Sequence, residues 1–157
     1  MRAVNAIRLD NRTDETQERG MTSIVGIETP RGVMLASDSL GANEQWTATI
    51  RAESKVFSLG AYVLGFTSSF RMGDILRYQV ALPGPPRTRV HKHLVTKVVP
   101  VIRDAFKAHG FGTTKEGADH GGEFLVGVRG ELYSVSDDYQ VGRIRERRAL
   151  PHRARER

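Results

Sequence analysis

The sequence predicts an α+β domain in which helices lie on antiparallel sheet. The first observation is the order of its elements, because apolar strand-like runs come first, two helical patterns follow, and further strand-like runs come after them. This order favours helices layered on antiparallel sheet over the strand–helix alternation of a parallel fold. The second observation is the length, since 157 residues are enough for one domain with its own core.

Two predicted hairpins open the domain. Residues 23–39 combine an apolar, β-branched run, a Thr-Pro-Arg-Gly turn and a second apolar run. Their nearly continuous hydrophobicity predicts strands that are covered on both faces. Residues 40–54 are more polar and predict an irregular or weakly stranded connection. Residues 55–66 then form a second strand–turn–strand unit around Gly60.

The two predicted helices lie in the middle of the chain. The first covers residues 70–82 and ends at the Pro-Gly-Pro-Pro sequence that follows it. The second runs from about Thr88 to His109, where apolar residues recur at three- and four-residue steps. Pro100 lies inside this pattern and predicts a kink, and Gly110 supplies the stop.

A third hairpin is predicted after a glycine-rich loop. Residues 123–136 hold two apolar runs around an Arg-Gly turn, and Asp137 and Asp138 are interpreted as closing the turn that follows. The loop at 110–117 has the glycines of a phosphate-binding loop but lacks the Gly-Lys-Ser/Thr ending of that motif. A nucleotide-phosphate site is therefore not predicted.

The composition excludes several classes of site. Because the chain has no cysteine, disulfides, a thiolate nucleophile and cysteine-ligated zinc are excluded. His91 and His93 are two residues apart on a predicted helix, face different sides and make a poor metal pair. No apolar run approaches the ~18–20 residues of a membrane helix, and residues 1–20 lack the apolar core of a signal peptide. We predict a cytoplasmic protein without cofactor, metal or membrane span.

The net charge of +6 raises the question of nucleic-acid binding. Residues 143–157 hold seven Arg against two Glu, whereas residues 1–21 have no net charge and residues 22–142 carry only +1. A basic tail on a nearly neutral body differs from the basic folded face that is typical of nucleic-acid-binding domains. Nucleic acid is thus an unlikely partner, and a small nucleic-acid-associated protein that uses this tail is kept as a second alternative.

Three residues fit the chemistry of an amino-terminal nucleophile. A threonine hydroxyl needs a base, and the α-amino group of the same residue can serve, since its ordinary pKa of about 7.7–8.0 leaves much of it neutral. Removal of Met21, or of a longer leader, would expose Thr22 as that residue. Asp38 ends the first predicted hairpin, and Lys55 opens the next strand. A lysine beside the amine would lower the amine pKa, and an aspartate could hold that lysine.

The segment MTSIVGIETPRGVMLASDS resembles the opening of proteasome β subunits and of the related bacterial ATP-dependent peptidase subunit. In that family a strand of pattern T-[TS]-x-V carries the nucleophile, and a strand that ends in aspartate follows a turn. The segment KVFSLGAYVLGFTSS is similar to the family's next segment. A looser similarity continues through both helices and the third hairpin. The resemblance covers about residues 22–142.

The resemblance implies a four-layer α/β/β/α N-terminal nucleophile hydrolase sandwich. It also implies a threonine-type endopeptidase subunit of a proteasome-like ring, which would act on peptide or unfolded-protein substrate with an ATPase unfoldase as a possible partner. Thr22 would be the nucleophile and its amine the base, Asp38 would orient, and Lys55 would tune the amine. A backbone N–H of Ser68 (or Ser69) would stabilise the oxyanion. Both serines are equally well interpreted as a helix N-cap pair.

The predicted domain bounds follow from the same comparison. Residues 1–21 are interpreted as a disordered leader, a propeptide or a mis-assigned start that precedes Met21, and residues 143–157 as a disordered Arg-rich tail. The family continues past the third hairpin with a further helix and strands, whereas this chain turns to arginine, as a frameshifted reading frame would. We therefore expect an incomplete domain over 22–142 that exposes apolar sheet. A catalytically inactive or remnant member of the same fold is the first alternative.

Overall fold

A computed structural model of the chain describes residues 5–10, 23–42, 48–115 and 118–144. The strands within these ranges are β1 (Asn5–Asp10), β2 (Ser23–Thr29), β3 (Gly32–Ser37), β4 (Leu40–Ala42), β5 (Ala48–Ile50), β6 (Val56–Leu59), β7 (Tyr62–Phe66), β8 (Thr113–Lys115), β9 (Ala118–His120), β10 (Phe124–Val128), β11 (Glu131–Val135) and β12 (Val141–Arg143). The helices are α1 (Phe70–Tyr78), α2 (Val90–His93) and α3 (Val99–Ala108), with a π-helical turn over Leu94–Val98 between the last two.

The strands form two main antiparallel sheets. A smaller sheet has the order β1-β2-β3, and a larger one has the order β12-β11-β10-β7-β6. The three predicted hairpins are confirmed as β2–β3, β6–β7 and β10–β11. The polar connection after the first hairpin contains the short ribbon β4–β5, and the glycine-rich loop contains the ribbon β8–β9.

The described residues pack in three layers, because successive side chains of a strand point to opposite faces. On one face of the larger sheet, Phe124 and Val126 pack with the helices in the main core. On the other face, Leu125 packs with Ile24 of the smaller sheet in a second cluster. The fold is therefore mixed α/β, with helices on one side of the larger sheet and the smaller sheet on the other. No helix within the described ranges is long and apolar enough to cross a membrane.

The N-terminal segment differs from its prediction. Residues 5–10, expected to be disordered, form strand β1 and pair antiparallel with β2, from Asn5 opposite Glu28 to Asp10 opposite Ser23. The ladder to β2 supplies hydrogen bonds that the six-residue segment could not make alone, which is why local sequence did not reveal the strand. The other residues of the predicted leader lie outside the described ranges.

The first hairpin is covered on one face only. For this hairpin the expectation was strands covered on both faces. It is wrong for β3, where Met34 is 63% exposed and Ala36 is also exposed. The side of the smaller sheet that points away from the larger one is called the outer face. It contains Met34 and Ala36 together with their cross-strand partners Ile27 and Val25.

Both predicted helices are present with altered bounds. Helix α1 ends at Tyr78, earlier than residue 82, and the Gln79 N–H closes it by donating to the Ile75 carbonyl at 2.9 Å. The second helix runs from Val90 to Ala108. Pro100, at which a kink was predicted, lies in the first turn of α3, directly after the π-helical turn. Proline has no N–H to donate, and a change in the hydrogen-bond pattern accommodates this loss.

Arg143 belongs to the fold and not to a disordered tail, which corrects the predicted boundary. It is the last residue of β12, and its guanidinium contacts the carboxylates of Glu28, at 3.2 Å, and of Glu131. Glu28 also accepts a 2.6 Å hydrogen bond from the Leu132 N–H, so the cluster joins the smaller sheet to the larger one. Residues 145–157 lie outside the described ranges.

The ionisation of Tyr133 at alkaline pH provides a test of this cluster. Its hydroxyl donates to Glu131, and burial, followed by the Glu131 contact, raises the pKa of Tyr133 to about 12. An unfolded chain ionises its tyrosines from about pH 10, so above that pH the folded state retains the proton that the unfolded state loses. We expect stability to fall as the pH rises from about 10 towards 12. Unfolding midpoints across this range should fall less in Tyr133→Phe, and equal slopes would contradict the assignment.

Candidate active site

A buried ion pair joins the two predicted residues Asp38 and Lys55. Asp38 follows strand β3, Lys55 precedes β6, and Lys55 Nζ lies 2.6 Å from Asp38 Oδ1. The Lys55 side chain is 2% exposed and that of Asp38 is 35% exposed. A buried ammonium is costly unless it has a counter-charge and hydrogen bonds. The Asp38 carboxylate therefore stabilises the charged Lys55 side chain in this position.

The second oxygen of Asp38 binds the backbone beside Thr22. The Ser23 N–H donates to Asp38 Oδ2 at 2.8 Å, and the Asp38 N–H donates to the Ser23 carbonyl at 3.4 Å. Thr22 itself lies outside the described residues. One carboxylate therefore links the Lys55 ammonium to the peptide group that immediately follows the predicted nucleophile.

Close packing brings the beginning of β2 to this place. Ile24 is fully buried, and a methyl group on Gly65 of β7 would lie 3.1 Å from Ile24 Cγ2. Glycine at 65 therefore allows the two sheets to approach closely at this point. The Phe66 N–H donates to the Lys55 carbonyl at 3.2 Å, which fixes the end of β7 beside the lysine.

The ring of Phe70, at the start of α1, borders the site with two cations. Lys55 Nζ lies 5.6 Å and Arg51 Cζ 4.3 Å from the ring centroid, both within the range of cation–π attraction. Arg51 also pairs with Glu53 at 3.3 Å in an exposed contact. Sequence reasoning missed both residues, because it placed Arg51 in an irregular connection and Phe70 only at the start of a helix.

The two candidate serines have different structural roles. Ser69 is the N-cap of α1, where its side chain accepts from the Met72 N–H at 3.1 Å, so the capping interpretation is confirmed for this residue. Ser68 is exposed, and its Oγ instead accepts a 2.8 Å hydrogen bond from the Glu123 N–H. The capping interpretation is therefore wrong for Ser68, whose side chain binds a distant backbone segment.

A further group of residues, which sequence reasoning missed, lies against Ser68. Asp137 was interpreted only as a turn residue, yet its Oδ1 accepts from the Gly122 N–H at 2.7 Å and its Oδ2 contacts His120 Nδ1. Its backbone carbonyl also accepts from the Gly121 N–H at 2.8 Å. Burial, followed by the nearby Asp137 carboxylate, raises the pKa of Glu123. The adjacent glycines at 121 and 122 were the one sequence signal for this close packing.

The two histidines of α2 contact different parts of the fold. His91 Nε2 lies 3.1 Å from the Val141 carbonyl oxygen, whereas His93 Nε2 lies 3.1 Å from the Tyr62 hydroxyl. Their rings therefore have separate protein partners. Among the described residues, no group of three or more His, Asp or Glu side chains is arranged to hold a metal ion.

Comparison with known proteins supports the fold. No protein-family model and no curated protein matches the sequence. The solved structure of Thiobacillus denitrificans BPH is similar to the chain, with a TM-score of 0.55 and 14% sequence identity. The match covers 92% of this chain and 69% of that one. At this identity the similarity shows that the two chains share a mixed α/β fold.

Proposed function

We propose that the chain is a threonine-type endopeptidase subunit of a proteasome-like ring protease. The observation that carries this proposal is the Asp38 carboxylate, which binds both the buried Lys55 ammonium and the backbone N–H beside Thr22. An amino-terminal hydroxyl uses its own amine as the base, and a cation beside that amine lowers the amine pKa, so the held Lys55 ammonium supports the proposal. A four-layer sandwich belongs to the proposal, with the fourth layer on the outer face of β2 and β3.

The proposed reaction uses the two functional groups of Thr22. Its amine accepts the hydroxyl proton as the oxygen attacks the scissile carbonyl carbon, and the protonated amine then gives that proton to the leaving amine of the substrate. The resulting ester is hydrolysed by water in the reverse sequence of proton transfers. Lys55 keeps the amine pKa low by like-charge repulsion, and Asp38 holds Lys55. The Ser68 backbone N–H would donate to the oxyanion.

The proposed context is an assembly in the cytoplasm. Peptides or unfolded proteins are the substrates, copies of the chain form a homo-oligomeric ring, and an ATPase unfoldase delivers the substrate. The reaction needs no cofactor, since the nucleophile, the base and the tuning cation are all protein groups. Support for this context comes from the sequence resemblance over residues 22–142.

Thr22→Ala is expected to reduce peptide hydrolysis to background without lowering the melting temperature. Loss of the nucleophile forfeits most of the benefit of a coupled catalytic set, whereas Thr22→Ser should retain activity. Thr96→Ala is the matched control, because its hydroxyl donates to the Lys92 carbonyl at an exposed position. Hydrolysis of fluorogenic peptides and thermal melts of each variant provide the measurement.

N-terminal sequencing tests the same proposal independently. The base exists only if Thr22 carries a free amine, so the active protein should begin at that residue. A stable product that retains Met21 would contradict the mechanism and would make the chain an inactive member of the fold. Unchanged hydrolysis in Thr22→Ala would assign the activity to another group.

A further inference from the structure

Residues 120–123 form a strap that lies over Ser68. At one end Asp137 holds the strap through the Gly122 N–H, at 2.7 Å, and through the His120 ring. At the other end the Glu123 N–H donates to Ser68 Oγ at 2.8 Å. The strap therefore connects the turn that follows β11 to the exposed residue just beyond β7.

Both glycines of the strap lie in close contact with neighbouring side chains. Gly122 has a φ of +81°, and a methyl group on it would lie 2.6 Å from Ser68 Oγ. A methyl group on Gly121 would lie 2.3 Å from Cζ of Tyr139. A methyl group at either position would force the strap or the facing side chain to move, and at Gly122 the positive φ adds backbone strain, so glycine at 122 allows the strap to lie close to Ser68.

Hydrogen bonds continue from the strap to the ion pair. The Thr67 N–H donates to the Glu123 carbonyl at 3.1 Å, and Thr67 is 4% exposed. The N–H of the preceding residue, Phe66, donates to the carbonyl of Lys55. The strap thus binds the same short segment, residues 66–68, that holds Lys55 in place.

We propose that Asp137 is a positioning residue that fixes the backbone at Ser68 through the strap. This inference rests on the proposed function, in which the Ser68 N–H donates to the oxyanion. Such a donor must be held close to one position, since a displacement of about 1 Å can cost about 10²-fold in rate. Asp137 touches neither the ion pair nor the substrate in this scheme, and acts through Gly122 and Glu123.

The neighbouring aspartate provides a matched control. Asp138 accepts from the Gln140 N–H, at 3.0 Å, in an exposed turn. We expect Asp137→Ala to lower kcat about tenfold or more with little change in KM, because it disturbs a transition-state contact. Asp138→Ala should resemble the wild type, and Asp137→Asn should recover much of the rate because its amide oxygen can still accept from Gly122.

Amide hydrogen exchange supplies a readout that does not depend on activity. In Asp137→Ala, exchange at Gly122 and Glu123 should become about tenfold faster or more, while Asp138→Ala leaves it unchanged. Ser68→Ala, which removes only the acceptor of the Glu123 N–H, gives a second measurement if Asp137→Ala folds poorly. It should speed exchange at Glu123 and lower kcat in the same direction.

The outcomes separate this inference from the proposed function. Equal exchange in Asp137→Ala and Asp138→Ala would overturn the anchoring role of Asp137. Faster exchange with unchanged kcat would overturn its effect on catalysis. A wild-type protein, correctly processed to Thr22, that hydrolyses no peptide would overturn the proposed function before any variant is compared.

Discussion

Replacing Asp38 with alanine is expected to lower the free energy of unfolding by about 3 kcal/mol, because a buried lysine loses the carboxylate that compensates its charge. Lys55 Nζ lies 2.6 Å from that carboxylate, and its side chain is 2% exposed. Asp38 is itself partly exposed, which places the effect at the lower end of the range for buried ion pairs. Chemical unfolding of the variant and the wild type gives the measurement.

Lys55→Met separates stability from activity at the same pair. Methionine fills a similar volume without a charge, so we expect stability to change by no more than about 1 kcal/mol. Peptide hydrolysis should nevertheless be lost, because nothing then lowers the pKa of the Thr22 amine. Glu53→Ala, in the exposed pair with Arg51, is the control and should leave the unfolding midpoint nearly unchanged. An Asp38→Ala protein as stable as the wild type would contradict this account of the ion pair.

Arg143→Ala is expected to cost about 2–3 kcal/mol of stability, since its guanidinium contacts two carboxylates from different sheets. Without it, Glu28 and Glu131 lose their shared cation and the two sheets lose a charged link. Arg143→Lys should give an intermediate loss, because an ammonium lacks the planar fork that reaches both carboxylates. Unfolding of the three proteins in urea measures the effect.

Arg129 is the matched control for this second experiment. It is an exposed arginine whose guanidinium donates to the Pro85 carbonyl at 3.0 Å. Arg129→Ala should therefore have a much smaller effect than Arg143→Ala. Similar losses in the two variants would show that the contacts of Arg143 with Glu28 and Glu131 add little to stability.

Local patterns were sufficient to predict most elements of the fold. The hairpins follow from apolar runs joined by short turns, and the long helix follows from its repeat of apolar residues. Strand β1 could not be predicted, because six residues of mixed polarity become a strand only when β2 is available as a partner. Arg143 was misassigned for a related reason. Because several arginines follow it, it was interpreted as a solvent-exposed charge. Its carboxylate partners lie elsewhere in the sequence, so local patterns could not reveal them.

The candidate site was predicted in part. Asp38 and Lys55 were identified from their order along the chain, and the structure places them in contact. Their catalytic roles stay predictions. The link between Ser68 and Glu123 could not be predicted, since 55 residues separate them and neither lies in a recognisable motif. Such contacts depend on how loops from different strands of the larger sheet meet at the same end of those strands.

The pairing of β1 with β2 means that cutting the chain before Thr22 would not by itself divide the molecule. Six residue pairs, from Asn5 opposite Glu28 to Asp10 opposite Ser23, would still hold the released peptide to the edge it covers. The product would be a two-fragment complex, and its dissociation would uncover an unpaired strand edge that another chain could occupy. Processing and release would then be two separate steps, the second of which depends on dilution.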